Sequence, residues 1–467
     1  MTIVHRVFEQ RRPGDDQRPC YFLNAYAVSV TGGSEPGMGF AWFSHLLRHY
    51  RVVLFTEAEF APGLEDWVNA QDDVSCTIHF FDVGPQTRAR CWNQGDWRFY
   101  LAYWAYQRAV LKVAAASLRL ERPVALHQLN MIGFREPGYF WRLARASGVP
   151  LIWGPVGGYN FPSGSFYQAF GVVARLKQSV KNLLNLASML LPSVVGSYMT
   201  ASALLLAIPP RGRLMPAVLR RGHLFPETFL RADSALLAGQ PHSAPPPADP
   251  VATTTDAPPL RLAMLGKLVP RKLVDVAIDA LCQLQPAERA RVRIDVIGDG
   301  PARALLEVMV QRKGVAGQVH FCGALPHAQA LARMRSADML LHCSVDEGTS
   351  HAVVEALSLA MPVMAFDCGG HSVIAKSAGL ALLPPPRQRA QAVATIARAM
   401  RDTLDRPAGT RFVTPAMDRL ALWTGTARID ELHRLMRWSG APTPAVPAAS
   451  QAHTGRNLLS TNPVNTP

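Results

Sequence analysis

Three cations and two carboxylates have the types and spacing for chemistry. Lys267, Arg271 and Lys272 lie within six positions in a loop that opens a helix. Glu347 and Glu355 have seven residues between them, the first in a loop and the second in the first turn of the helix that follows. Bases clustered at a helix start suit a diphosphate, because free backbone N–H groups and the helix dipole add to the side-chain charge; Lys267 and Lys272 are spaced to meet one together. A carboxylate accepts paired hydrogen bonds from neighbouring hydroxyls, so the two glutamates suit a ribose and a hexose on either side of that diphosphate. The plainer reading of Glu355 is the general preference of acids for helix starts. Gly298-Asp299-Gly300-Pro301 is a turn whose small residues let a ring approach the backbone, and by itself it is also a common turn.

These residues need strands to position them, and the pattern supplies strands. Apolar runs at 260–265, 291–297, 319–321, 339–342 and 363–366 alternate with amphipathic stretches at 273–284, 302–313, 328–336 and 352–360. That alternation predicts a doubly wound parallel sheet, with ligands at the carboxyl ends of its strands. The first half repeats it: a strand at 20–31, a glycine-rich turn through Gly39, a helix at 40–49, a strand at 51–56, then 124–129, a helix at 139–146 and a strand at 150–153. Two Rossmann-like lobes facing across a cleft are therefore expected. The boundaries fall at an N-terminal Rossmann-like lobe over 1–239 and a proline-rich linker over 240–259. A second Rossmann-like lobe follows over 260–405, then a helical segment over 406–440 expected to pack back on the first lobe and a disordered tail over 441–467.

With 49% hydrophobic and 18% charged residues the composition is globular. Seven scattered cysteines form no Cys-x-x-Cys pair, and the first sixteen residues lack the apolar run of a secretory signal, so the expected compartment is the cytoplasm. The net charge of +14 is unevenly placed: no acid occurs between Glu136 and Glu227, whereas nine bases do, including Arg175, Lys177 and Lys181. Within that stretch 171–191 reads as a basic, leucine-rich amphipathic helix, either interfacial against an anionic membrane or one helix of the core. Residues 182–210 carry no charge, but Pro192, Gly196 and several hydroxyls break them up as a membrane span, and 203–208 reads as a buried strand.

Residues 260–384 resemble the C-terminal domain of the family 4 retaining glycosyltransferases, which have the GT-B architecture. Gly-Lys-Leu-Val-Pro-Arg-Lys, Gly-Asp-Gly-Pro, Val-His-Phe-Cys-Gly, Ser-Ala-Asp and Glu-Gly-Thr-Ser-His-Ala-Val-Val-Glu-Ala-Leu follow in family order. Gly-Ser-Glu-Pro-Gly-Met-Gly and Ile-Trp-Gly-Pro-Val-Gly-Gly resemble a subgroup. On this resemblance the lobe over 1–239 is the acceptor side and the lobe over 260–405 the nucleotide-sugar lobe. The resemblance implies that Lys267 and Lys272 hold the donor diphosphate and stabilise the leaving group, as electrostatic catalysis requires. It implies that Glu347 binds the donor sugar, Glu355 the ribose, and the backbone around Gly298, Asp299, Gly300 and Ser350 the rest of the nucleotide sugar. Gly37 and Gly39 let the backbone approach phosphates, His127 stands near the transferred sugar as a catalytic residue, and Gly157 and Gly158 shape the acceptor side. The chain departs from the family at Leu273, where glycine is common, at Thr349-Ser350, where Phe-Gly is common, and at Val373, often glutamate.

The implied activity is hexose transfer from a nucleotide sugar to a lipid-linked saccharide or glycolipid, at an anionic membrane surface. No cofactor or metal is expected, since no Asp-x-Asp occurs to bridge a diphosphate through a metal. A catalytically silent partner subunit and a sugar-nucleotide epimerase are the alternatives. Nucleic-acid binding is suggested by charge alone, with no recognition motif.

Overall fold

The computed structural model describes residues 3–12, 18–32, 34–91, 98–129, 133–159, 161–209, 221–229, 259–407, 412–413 and 415–438. Most of the linker, the tail, and Arg211, Arg213 and Arg220 of the basic stretch lie outside these.

The first lobe is an eight-stranded sheet. Its strands are β1 (Val4–Gln10), β2 (Cys20–Ala25), β3 (Arg51–Glu57), β4 (Cys76–Asp82), β5 (Ala125–Leu129), β6 (Leu151–Val156), β7 (Ala201–Leu206) and β8 (His223–Leu224). They lie in the order β1-β4-β3-β2-β5-β6-β7-β8, all parallel except the antiparallel edge strand β1. β2 is buried at every position and β3 at all but its first, as strands covered by helices on both faces must be. β1 is largely exposed because it closes an edge.

The second lobe is a five-stranded parallel sheet of β9 (Leu260–Leu265), β10 (Val292–Ile297), β11 (Val319–Gly323), β12 (Met339–His342) and β13 (Val363–Ala365), ordered β11-β10-β9-β12-β13. In both sheets the strand order reverses beside the first parallel strand. The resulting crevices open beyond β2 and β5 in one lobe and beyond β9 and β12 in the other, the places where doubly wound sheets receive ligands.

Two segments tie the lobes together. The short helical turn Gly164–Phe170 leaves the first lobe and lodges Phe166 and Tyr167 in the core formed by Leu262, Met264 and Val276 of the second. The helix Gly425–Trp438 runs the other way, burying Ile429, Leu432 and Met436 with Trp42 and Leu46 of the first lobe.

The amphipathic stretch forms the helix Val172–Ser188, followed after a 56° bend by the helix Pro192–Thr200. Among the described residues no single helix is long and apolar enough to cross a membrane. Residues 201–206 form the strand β7, buried from Ala203 onward. The helix does not belong to the core. Val172, Val173, Leu176, Val180, Leu183 and Leu184 are exposed, whereas Gln178 and Asn185 face inward at 6% and 4% exposure.

Candidate active site

The second lobe's crevice is built from the loops after β9 and β12. After β9 the chain passes through Gly266 into the short turn Pro270–Lys272, and after β12 it runs through Ser344–Ser350 into the helix His351–Ser358. The Ser344 hydroxyl donates to the Arg271 carbonyl at 2.8 Å, fixing one loop against the other. That contact brings Glu347, whose side chain is 6% exposed, against both cations. Arg271 Nη1 donates to its Oε1 at 2.7 Å, Lys272 Nζ lies 2.5 Å from the same oxygen, and His342 Nε2 is 3.5 Å from Oε2.

Burial alone would push the Glu347 carboxyl up, but Lys272, His342 and Arg271 outweigh it and hold the carboxyl far below the usual range. Glu347 is therefore held as the anion near neutral pH. His342 and His371 stack edge to face 4.8 Å apart beside it. Burial lowers both, His371 to about 4, so the two rings are neutral near neutrality.

Other expected residues take different places. Ser350 caps the helix His351–Ser358, and its buried hydroxyl finds no partner among the described residues. Glu355 sits five residues into that helix, a turn later than expected, and pairs with His327 at 2.8 Å on the neighbouring helix His327–Arg335. Lys272 and Glu347 therefore converge, while Glu355 is directed to a second flank. Lys267 is exposed on the rim of its loop, and Arg271 takes the inner position beside Lys272.

Four glycines have their small size explained within the chain. A Cβ on Gly298 would come within 2.1 Å of the Gly266 carbonyl oxygen, and one on Gly300 within 2.4 Å of that of Leu268. Both seat the 298–301 turn against the β9 loop, which accounts for the glycines without a ligand. Asp299 is exposed, accepting from the Gly300 N–H at 2.6 Å and pairing with Arg303 at 2.8 Å. Gly37 and Gly39 lie inside the helix Ser34–Leu46, where a Cβ would meet the Gly32 and Ala27 carbonyl oxygens at 2.4 and 2.1 Å. Close packing of helix on loop is by itself enough to require glycine at both positions.

His127 is likewise corrected. It is fully buried on β5, with Tyr21 Oη 2.9 Å from Nδ1 and the Gly154 carbonyl 2.8 Å from Nε2, and Trp42 edge-on at 5.0 Å. Both ring nitrogens are engaged in the core, so the ring presents nothing to a sugar. Gly158 has φ +85° and Gly157 pairs with Gly133, shaping the first lobe's rim behind Glu136.

The structure adds three acids that the sequence reading did not use. Glu227, buried just beyond β8, accepts from the Thr349 N–H at 2.6 Å and its hydroxyl at 2.8 Å, joining the lobes beside Glu347. A Cβ on Gly370 would lie 2.3 Å from the Ala207 carbonyl oxygen, so the lobes touch there as well. Glu35 lines a small hollow at the ends of β2 and β5, and Glu136 is buried with its carboxylate against Gly133. Their one signal in sequence was position: Glu35 in the glycine-rich turn after the first strand, and Glu136 and Glu227 at the two ends of the acid-free stretch. Among the described residues no group of three or more His, Cys, Asp or Glu is placed to hold a metal ion.

Residues 249–411 match the family described as glycosyl transferases group 1. The chain is 33% identical over 147 residues to the 2-deoxystreptamine glucosyltransferase of Streptomyces kanamyceticus, covering 32% of this chain and 37% of that protein. It is 29% identical over 126 residues to the lipopolysaccharide glucosyltransferase WaaG of Escherichia coli K12, covering 27% of this chain and 33% of the relative. The matched stretch thus spans about a third of these relatives' lengths. In structure the chain resembles HepE of Anabaena, solved in complex with UDP, with a TM-score of 0.51 at 14% identity over 90% of this chain and all of that one. It also resembles the sucrose-phosphate synthase of Thermosynechococcus elongatus, with a TM-score of 0.55 at 16% identity over 91% of this chain and all of that one. The chain has the GT-B fold, and its second lobe is similar to glycosyl transferases group 1.

Proposed function

We propose that this chain is a retaining glycosyltransferase that moves a hexose from a nucleotide diphosphate sugar to a lipid-linked saccharide or glycolipid, in the building of cell-surface or exported polysaccharide. The observation that carries the reading is the buried Glu347 held between Arg271 and Lys272 at the crevice of the second lobe. A diphosphate entering the β9 loop takes up the charge of the two cations, and Glu347 is then free to accept hydrogen bonds from the donor sugar. As the sugar leaves, the same cations stabilise the charge that develops on the diphosphate, so no metal is required. Glu355 on the outer flank suits the ribose. Retention and the family 4 assignment are what the sequence resemblance implies, and the relatives named above act on sugars.

The acceptor's nature is supported by the helix Val172–Ser188. Its exposed apolar residues, Leu186 included, fall within an arc of about 160° at 3.6 residues per turn, edged by Lys177 and Lys181 on one side and Arg175 on the other. That suits an anionic leaflet and supports the reading of a peripheral enzyme on the cytoplasmic face of a membrane.

Thermal-shift measurements with UDP-glucose, UDP-N-acetylglucosamine, GDP-mannose and ADP-glucose test the donor, because a ligand that binds the native state raises its melting temperature. The Glu347→Ala variant is expected to release nucleoside diphosphate from that donor at least ~100-fold more slowly. It should still bind the free nucleoside diphosphate, since the two cations then lack their internal counter-ion. Unchanged turnover in this variant would remove Glu347 from the reaction.

A further inference from the structure

The loop that carries Glu347 is held from three directions. Ser344 ties its start to the donor loop. From the loop after β13 the Gly370 N–H donates to the Gly348 carbonyl at 2.9 Å. The third hold comes from the other lobe, through the two hydrogen bonds that Glu227 accepts from Thr349. Thr349 is itself buried and stands two residues beyond Glu347. A Cβ on Gly370 would come as close to the Thr349 hydroxyl as to the Ala207 carbonyl oxygen, so that glycine lets the same three segments meet.

Glu227 reaches across from a firm base. Phe225 and Phe229 on either side of it are buried in the first lobe's core with Trp42, whose indole N–H donates to the Glu227 carbonyl at 3.4 Å. The backbone that bears the carboxylate is therefore fixed to the first lobe, while the loop it grips belongs to the second. Burial pushes the Glu227 carboxyl up and the Thr349 hydrogen bonds oppose that, with no ion pair to Glu227 among the described residues. An apolar side chain could join two lobes without desolvating a carboxylate. What the carboxylate adds is direction, since its two oxygens fix both donors of one residue in a set geometry.

We propose that Glu227 is a positioning residue: gripping Thr349 from the first lobe, it makes the contact between the lobes set the place of the carboxylate that meets the donor sugar. The assignment rests on the proposed transfer reaction, in which Glu347 is that carboxylate. Arg271 and Lys272, which meet the diphosphate, lie on the donor loop and not on the loop that Glu227 holds. Loss of the grip therefore leaves the cations for the diphosphate in place and displaces the ligand of the sugar.

Water serves as the acceptor in the test. The full chain is incubated with whichever of the four sugar nucleotides stabilises it most, and release of the nucleoside diphosphate is measured per nucleotide-binding site, so that unfolded protein does not count. Glu227→Ala should lower kcat ~100-fold, the scale of a misplaced reacting group, while its melting temperature rises as far as the wild type's on adding the nucleoside diphosphate. Thr349→Val keeps the N–H and loses the hydroxyl, and should lower kcat ~10-fold. Glu227→Gln offers an oxygen to the Thr349 N–H and an N–H to its hydroxyl, so it should regain most of the rate. A carboxylate acting by its charge or as a base would not be replaced by the amide. Because both residues act through one contact, Glu227→Ala with Thr349→Val should be no slower than Glu227→Ala alone. An alanine variant that binds the nucleoside diphosphate and keeps the wild-type rate, an amide variant as slow as the alanine, or losses that multiply in the double variant overturn the assignment. Where Glu227→Ala does not fold, Thr349→Val at the wild-type rate overturns it. Failure of the transfer reading is seen separately, as a wild type that neither binds nor cleaves any of the four donors.

Discussion

Glu347 and His127 show two ways in which a buried titratable group is settled. Glu347 has two cations within hydrogen-bond reach, and their attraction exceeds the cost of burial. His127 has only neutral partners, so burial dominates and lowers it to about 4, with the Gly154 hydrogen bond opposing. An ordinary histidine titrates near 6.5. Between pH 6.5 and 4 the unfolded chain therefore binds a proton at this position that the folded chain does not, and the histidine's contribution to stability is lost as pH falls through that window. His127→Gln should lower stability at pH 7.5, since it cannot fill the same hydrogen bonds. It should also flatten the dependence of unfolding free energy on pH between 4 and 6.5 by up to about 1.4 kcal/mol per pH unit, one proton's worth. Urea unfolding of both proteins at several pH values gives the difference directly, and equal slopes would show that His127 titrates normally in the fold. The sequence made the cations and the two glutamates legible because charge in a loop between apolar runs has few other uses. It misled at His127, whose neighbours Tyr21, Trp42 and Gly154 are distant in the chain and make the histidine part of the core.

The five strands of the second lobe and four of its helices were readable nearly to the residue, because a parallel sheet demands unbroken apolar runs between helical periods, whereas the helices Pro286–Ala290, His371–Ser377 and Arg389–Asp405 were not read. β4 was not read: Cys76–Asp82 mixes Thr77, His79 and Asp82 into its apolar pattern, and its burial comes from neighbours on both faces. The turn that carries Arg271 and Lys272 shows why one family departure matters. Leu273, where relatives commonly have glycine, adopts φ +54° and ψ +38°, a left-handed conformation that costs a side chain about 1 kcal/mol or more. It is nevertheless buried with Val276 and Met264, which repays the conformation through ~1.5–3 kcal/mol of transfer from water. The usual order of substitutions should reverse here. Leu273→Ala loses the burial and keeps the backbone penalty, whereas Leu273→Gly loses the burial and sheds the penalty. The glycine variant should be the more stable of the two by about 1 kcal/mol, although in an ordinary helix it would be the less stable. Thermal melts of the pair decide it, and an alanine variant that matches or exceeds the glycine variant would mean that residue 273 leaves the left-handed region once the side chain is cut.

Among the described residues, most exposed large apolar side chains gather along Val172–Ser188 and the helix that follows it, with Arg175, Lys177 and Lys181 beside them. The first of these helices is inverted relative to one serving the core: Val172, Leu176 and Leu183 are 76%, 63% and 67% exposed, while its amides are buried. Periodicity located the helix, but its direction depends on what lies beneath it. Gln178 donates to Asn182 at 2.9 Å, and Asn182 to the Pro162 carbonyl at 2.9 Å, so these two amides are engaged against the loop that bridges the lobes, while the buried Asn185 Oδ1 finds no partner among the described residues. Lys181 also reaches Asp346, next to Glu347, at 3.4 Å, which sets the exposed stripe beside the donor crevice. A lipid-linked acceptor held in a leaflet there would have its saccharide at the cleft. Lys181 is a poor choice for mutation because of that ion pair, whereas Arg175 and Lys177 contact no acid among the described residues. Each base near an anionic surface contributes about 1 kcal/mol, so Arg175→Ala with Lys177→Ala should weaken flotation with phosphatidylserine-containing vesicles by ~30-fold, and the corresponding glutamates should weaken it further. Leu176→Ser with Leu183→Ser should reduce binding independently of salt, because it removes apolar contact and not charge. Flotation that is equal on pure phosphatidylcholine, and indifferent to both pairs of substitutions, would remove the leaflet as the partner of this face. Sedimentation velocity that shows a dimer dispersed by the serine pair would instead make it a contact between two copies of the chain.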